Sequence, residues 1–426
     1  MRKVFATAVM TLFTSAYLFP ISFTFLPNAV NSKIMVAVFG ILAFAFNGIR
    51  NRGLKISEPT LFSGLLAAVF SAWCLFSVTE GNTYDMTYAS YFVSFLTWMF
   101  GAYGVCAALS LVFNKEADMD LIVRFLALAC VFQCIMAVVI DNNAAVSGWV
   151  DRFLDDKLDF YKRGHRLYGI GAALDPAGIR FSAVLVVMAH VFATSEEVHS
   201  NNLYQTSLLL GYTVIVIIGA VISRTTLVGA SLGLAYMVIY LFRLRKGGFA
   251  TIGMIQFFFW FFALLAVIIV ALIYFYRSSV TFQGYVRFGF EAFFNWVETG
   301  EFRTSSTDTL NTMWIWPADW KTWLIGRGTF GIYDNGTDIG YCNFVFYCGL
   351  VGMVIFSIYF LYCHLVLNRK FNNFLVPSLF LIVLTFTVWV KVTTDIFFLD
   401  AILLCAASEK VTERNDPVVV VPREPV

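Results

Sequence analysis

Arg224 stands between two long apolar runs, Leu203 to Ile222 and Thr225 to Phe242. Each run is long enough to cross a hydrocarbon core of ~30 Å at ~1.5 Å per helical residue. The turn between them is therefore Ser223-Arg224-Thr225 at most, at one face of a membrane. A charge at the bilayer centre costs at least ~2.5–3.5 kcal/mol, so this guanidinium either snorkels to the interface or holds an anion. A second cationic stretch runs from Phe160 through Lys162, Arg163, His165, Arg166, Gly169 and Gly171 to Asp175-Pro176 and Arg180. Guanidinium groups on glycine-rich backbone suit phosphate or diphosphate capture; the competing reading is a solvated basic loop lying on lipid head groups. A third stretch carries Trp314, Trp316, Trp320 and Trp323, then Gly326-Arg327-Gly328 and Gly331, then Thr337-Asp338-Ile339-Gly340-Tyr341. Flat indole faces suit stacking on sugar rings and equally suit an interfacial aromatic belt. Asp338 has the chemistry of a general base, or of a neighbour to a helix cap.

Metal and disulfide chemistry find little support. Of eight cysteines, Cys74, Cys106, Cys130, Cys134, Cys363 and Cys405 fall inside apolar runs, where cysteine packs as a small hydrophobe. Cys342 and Cys348 fit no zinc spacing. No metal, cofactor or nucleic acid is expected.

The elements that must position these residues follow from composition. The chain is 59% hydrophobic and only 13% charged, with mean hydropathy +0.77, against about 25% charged in an average soluble domain. It cannot coat a soluble surface and reads as an all-α polytopic membrane protein. Apolar stretches at 4–26, 33–49, 59–79, 88–113, 121–140, 177–194, 203–222, 225–242, 251–275, 341–367, 372–390 and 392–408 predict about 12 transmembrane helices in a single domain, 1–426. The first, after Arg2-Lys3, reads as a retained span. Compact basic clusters at Arg50–Lys55, Arg243–Lys246 and Arg369-Lys370 place those loops, and both termini, in the cytoplasm. Two long loops, 141–176 and 276–340, then fall on the outer side. The second contains an amphipathic helix, Tyr285 to Thr299, with Tyr285, Phe288, Ala292 and Trp296 on one face. Arg166, Arg180, Arg224 and Arg327 share the outer side, and none has a local carboxylate at helical spacing. Lys391 and Asp395, near the last outer turn, are spaced to pair with each other or to complete the acceptor site. The tail 409–426 is polar, punctuated by proline and expected to be mobile. No internal repeat is visible, which weakens a transporter built from duplicated halves.

A Ser-Arg pair opening a span, a Gly-x-Gly-x-x-Gly stretch in a large outer loop, and Thr-Asp-x-Gly-Tyr leading into a Gly-Leu-x-Gly helix together resemble the O-antigen polymerase and ligase superfamily. The resemblance covers the topology of the chain and motifs between about 166 and 352. Gly326, Gly328 and Gly331 are not a dinucleotide fingerprint, since no βαβ unit surrounds them. The resemblance implies a GT-C-like membrane glycosyltransferase of the bacterial cytoplasmic (inner) membrane. Its substrate would be undecaprenyl-diphosphate-linked oligosaccharide, and it would need neither metal nor nucleotide sugar. Membrane lipids and a chain-length regulator are the further partners implied. Arg224 matches the arginine after the motif serine; Arg166, Arg180 and Arg327, with Trp320 and Trp323, are the other substrate-binding candidates. Asp338 and His165 are the candidate bases. Ligases carry a histidine in the large loop; the histidines here are His165, His190, His199 and His364, which favours a polymerase over a ligase. The rival outside this class is a lipid-linked oligosaccharide flippase, which would need charged residues along many spans.

Overall fold

The computed structural model describes residues 2–27, 30–154, 166–243, 249–278, 280–408 and 418–421. In chain order the helices are α1 (Arg2–Leu18), α2 (Ser32–Arg50), α3 (Glu58–Glu80), α4 (Tyr91–Phe113), α5 (Met119–Asn142), α6 (Ala144–Phe153), α7 (Leu174–Thr194), α8 (Glu196–Ser200), α9 (Asn202–Ile222) and α10 (Thr226–Arg243). They continue as α11 (Phe249–Ser278), α12 (Val280–Gly289), α13 (Glu291–Thr299), α14 (Ser305–Asn311), α15 (Trp320–Ile325), α16 (Ile332–Asn335), α17 (Gly340–Lys370), α18 (Leu375–Val388) and α19 (Phe397–Cys405). Each of the twelve apolar stretches carries a helix. Among the described residues, eight helices are long and apolar enough to cross a membrane, and α10 and α18 are shorter apolar helices. The protein is an all-α, multi-pass membrane protein.

The chain folds as two compact units. Unit 1 comprises 1–33 and 119–304; unit 2 comprises 34–118 and 305–426. The division falls inside the second long loop. That loop is itself helical: α12 and α13 belong to unit 1, and α14, α15 and α16 to unit 2. The helix predicted over Tyr285–Thr299 is two helices, broken between Gly289 and Phe290. Glycine weakens a helix interior, and Glu291 then opens α13 with an acidic side chain in its first turn, where the helix dipole favours it.

In unit 1, α7 is the central helix. Helices gain no hydrophobic drive from one another in lipid and associate through close packing of small residues. Gly229 and Gly233, one turn apart on α10, meet that need. Any Cβ on Gly229 would strike the Ser182 backbone of α7, and one on Gly233 would lie 3.1 Å from the Leu185 carbonyl. Tyr212 of α9 closes the group by donating to the Ala230 carbonyl at 3.0 Å. The predicted turn between α9 and α10 is Ser223–Thr225, as the two apolar runs require.

In unit 2, α17 packs along α3 and bends at Gly349, whose φ of 65° is open to glycine. The bend receives α15: a Cβ on Gly349 would strike the Leu324 carbonyl. Stacked aromatics fill the interior, with Phe70 4.3 Å from Phe356 and Phe356 parallel to Trp389 at 5.8 Å. Part of the tail, expected to be mobile, is a strand: β2 (Val418–Val421) pairs antiparallel with β1 (Leu54–Ser57), with Leu54 in register with Val421.

Candidate functional site

The site in unit 1 is assembled on the Ser223–Thr225 turn. Ser223 ends α9 and Thr226 begins α10, so Arg224 projects from a junction held at both ends. Asp175, in the first turn of α7, fixes that junction. One of its oxygens accepts from the Ser223 hydroxyl and the Thr225 hydroxyl, each at 3.2 Å. Gly178, one turn further along α7, lies so close to Ser223 that a side chain would strike it.

Arg166 arrives from a different segment. The stretch 166–173 is anchored by Tyr168, 2% exposed in a small apolar cluster with Ile140, Val150 and Leu154. Gly169 sits against Gln133, and Gly171, with φ 76°, sits against the Pro20 carbonyl. Sequence alone suggests flexible backbone for a phosphate at these glycines; in the fold both pack closely, and Gly171 also takes a positive φ. Once anchored, the segment sets the Arg166 guanidinium 4.8 Å from the ring centre of Phe288, while Arg224 lies 4.5 Å from the same ring. Two cations from distant stretches thus meet on one aromatic ring, an arrangement worth ~0.5–2 kcal/mol per contact. Burial pushes the Arg166 guanidinium below its usual range; neighbouring Asp175 opposes this and the like charge of Arg224 adds to it.

Arg224 also has a carboxylate that sequence spacing does not show. Its Nη1 donates to Glu291, and the two side chains are only 16% and 23% exposed. Phe288 and Glu291 both come from α12–α13, where the sequence predicts only a membrane-surface helix. The acidic residue just after a glycine break is the one available signal. Arg180 lies deeper on α7, 6.0 Å from the ring centre of Phe19, whose carbonyl in turn borders Gly171. Arg166 has Asp175 as its carboxylate neighbour and Arg224 has Glu291, so the two cations that meet on Phe288 are matched by two carboxylates in unit 1. His165 lies outside the described residues.

The remaining candidates belong to unit 2. Arg327 organises its own loop: Nε donates to the Thr329 hydroxyl at 2.9 Å, and Nη2 to Asn335 Oδ1 at 3.0 Å and to the Asp334 carbonyl at 3.3 Å. Its guanidinium also lies 4.5 Å from the Phe346 ring centre. Asn335 and Asn343 extend the network to the Thr337 carbonyl. Asp338 projects from this loop into solvent, between buried Thr337 and Ile339. Trp323 stacks on Trp316 at 5.2 Å and donates to the Pro317 carbonyl at 2.9 Å, whereas Trp320 is 71% exposed. Gly326 and Gly328, expected as turns beside a ligand, have positive φ (83° and 66°) as such turns require and lie against Tyr347 and Val78. Asp395 accepts from the Tyr91 hydroxyl at 3.2 Å and from the Phe397 N–H at 2.9 Å.

Compared with known protein families, with characterised proteins and with solved structures, the chain finds no match in any of the three. Fold and site define a multi-pass helical membrane protein with two arginines and two carboxylates gathered, partly buried, at one helix junction.

Proposed function

We propose that the protein is a membrane glycosyltransferase that joins undecaprenyl-diphosphate-linked oligosaccharide repeat units on the outer face of a bacterial cytoplasmic membrane. The observation that supports this reading best is the meeting of Arg166 and Arg224 on Phe288 at the Ser223–Thr225 turn. In this reading all twelve apolar helices span the bilayer in a GT-C-like arrangement, and both termini are cytoplasmic.

The chemistry suits guanidinium groups. An acceptor hydroxyl oxygen bonds to the anomeric carbon of the donor sugar. The bond from that carbon to the diphosphate oxygen breaks, its electron pair leaves with the diphosphate, and the hydroxyl proton passes to a base. The leaving group is already ionised, so its departure needs charge stabilisation more than protonation. Fixed cations at a low-dielectric site supply this. The diphosphate either takes the place of Glu291 at Arg224 or joins it. Asp338 and His165 are the bases to test, by Asp338→Asn and His165→Gln.

Purified protein in a bilayer, given a lipid-diphosphate repeat unit, should yield a ladder of products that Arg224→Ala removes. Elongation at the unaltered rate in Arg224→Ala overturns the assignment. Transfer onto a different acceptor would mark a ligase, and movement of intact lipid between leaflets would mark a flippase.

A further inference from the structure

Unit 2 contains a second titratable cluster that glycosyl transfer does not use. His364 stands within α17 and Asp400 within α19, with side chains 1% and 0% exposed. The His364 Nε2 lies 3.9 Å from Asp400 Oδ1, in contact but beyond hydrogen-bond length. Neither ring nitrogen and neither carboxylate oxygen has a hydrogen-bond partner among the described residues. The surroundings are apolar: Phe360, Cys363 and Leu367 of α17 and Phe397, Leu399 and Leu403 of α19 are all buried. Ser378 serves only the backbone here, donating to the His364 carbonyl at 3.3 Å.

A lone carboxylate in such a place is an uncompensated charge, several kcal/mol in order of magnitude. One proton shared with the imidazole removes the net charge and gives both groups a partner. Ionisable residues at membrane depth are rare and characteristically mark proton sites. Titratable neighbours lead outward, the first of them with a hydroxyl that has no hydrogen-bond partner among the described residues. Tyr359, one turn before Cys363 on α17, has Tyr91, Cys363, Asp395 and Asp400 all as electrostatic neighbours. Tyr91 in turn donates to Asp395, which is partly exposed. The charged and titratable groups facing Asp400 are therefore His364, Cys363, Tyr359 and Asp395.

We propose that His364 and Asp400 form a proton-binding site, which holds one proton between α17 and α19 and exchanges it with solvent through Tyr359, Tyr91 and Asp395. In the exchange, an O–H bond at Asp400 breaks as an N–H bond forms at His364, or the reverse, and the proton enters or leaves by way of Asp395. No electron transfer is involved.

Infrared spectroscopy of the full chain in lipid nanodiscs, transferred from H2O to D2O, tests this. The unaltered protein should show a protonated-carboxyl stretch that shifts slowly with deuteration. Asp400→Asn should remove the band, His364→Gln should move it, and Asp395→Asn should slow its deuteration several-fold. A band unaffected by Asp400→Asn, or the absence from the unaltered protein of both this band and imidazolium ring bands lost in His364→Gln, overturns the proton site. Unchanged exchange in Asp395→Asn overturns the route. The spectrum of the unaltered chain keeps the test decisive even if a variant fails to fold.

Discussion

Arg224 in unit 1 and Arg327 in unit 2 look alike in the sequence: each sits beside small or hydroxylated residues near an apolar run. Their surroundings are opposite in kind. Arg224 shares an aromatic ring with Arg166 and has a half-buried carboxylate as partner. Arg327 donates to a hydroxyl, an amide and a carbonyl, all within eight residues of itself. The first arrangement gathers charges of both signs from distant segments. The second spends its donors on holding one loop in shape. The two arginines thus differ in whether their partners are charged and remote or neutral and local, and the proposed anion site draws on the first kind.

The comparison can be broken most strongly at the arginines. Arg224→Ala should reduce polymer formation by ~10²–10³-fold, the scale of removing one charge-stabilising donor. Arg327→Ala should instead lower the unfolding free energy of unit 2, and with it the melting temperature, by about 1 kcal/mol for each hydrogen bond lost, with an activity loss at least an order of magnitude smaller. Parallel rate and melting measurements on the two variants decide the matter. Equal rate losses would erase the distinction.

Gly349→Ala sharpens the structural side. It forces a left-handed φ on alanine, ~1–3 kcal/mol of strain, and drives a Cβ into the Leu324 carbonyl. Unit 2 should lose stability as measured by thermal unfolding in detergent. The tryptophans divide in the same way. Trp323→Ala should cost stability through its stack on Trp316, ~0.5–1.5 kcal/mol beyond the area buried. Trp320→Ala should leave melting unchanged and weaken glycan binding, read by calorimetry with a free oligosaccharide. The smallest effect concerns Asp319, which caps α15. The Thr322 N–H bond and then the Thr322 hydroxyl hold its carboxyl below the usual carboxylate range. A depressed folded-state pKa contributes stability above the unfolded value and loses it as pH falls through the folded one. Asp319→Ala should therefore lower the melting midpoint at neutral pH and make no difference in strong acid.

The helices are legible in the sequence, because an apolar run of spanning length has nowhere to bury itself except lipid or a large core. The Ser223–Thr225 turn is legible for the same reason. Glu291 and Phe288 are not, since they reach Arg224 across 67 and 64 residues and only folding brings them there. The break at Gly289-Phe290 turns a membrane-surface helix into two elements that close a site. Gly326 and Gly328 take the positive φ of the expected turns and also pack closely against Tyr347 and Val78, while Gly169 only packs closely, because a glycine's sequence context does not say what approaches it. The division into two units has no compositional marker, as the crossing point lies in a loop of ordinary polarity.

Most depends on Arg166 and Arg224 acting on one anion together. A double-mutant cycle, binding a lipid diphosphate to the unaltered chain, Arg166→Ala, Arg224→Ala and the pair, measures this directly. Two groups on one ligand should show a coupling of at least ~0.5 kcal/mol, so that the double variant loses clearly less than the sum of the single losses, or more. Strictly additive losses, or no loss in either single variant, would contradict it.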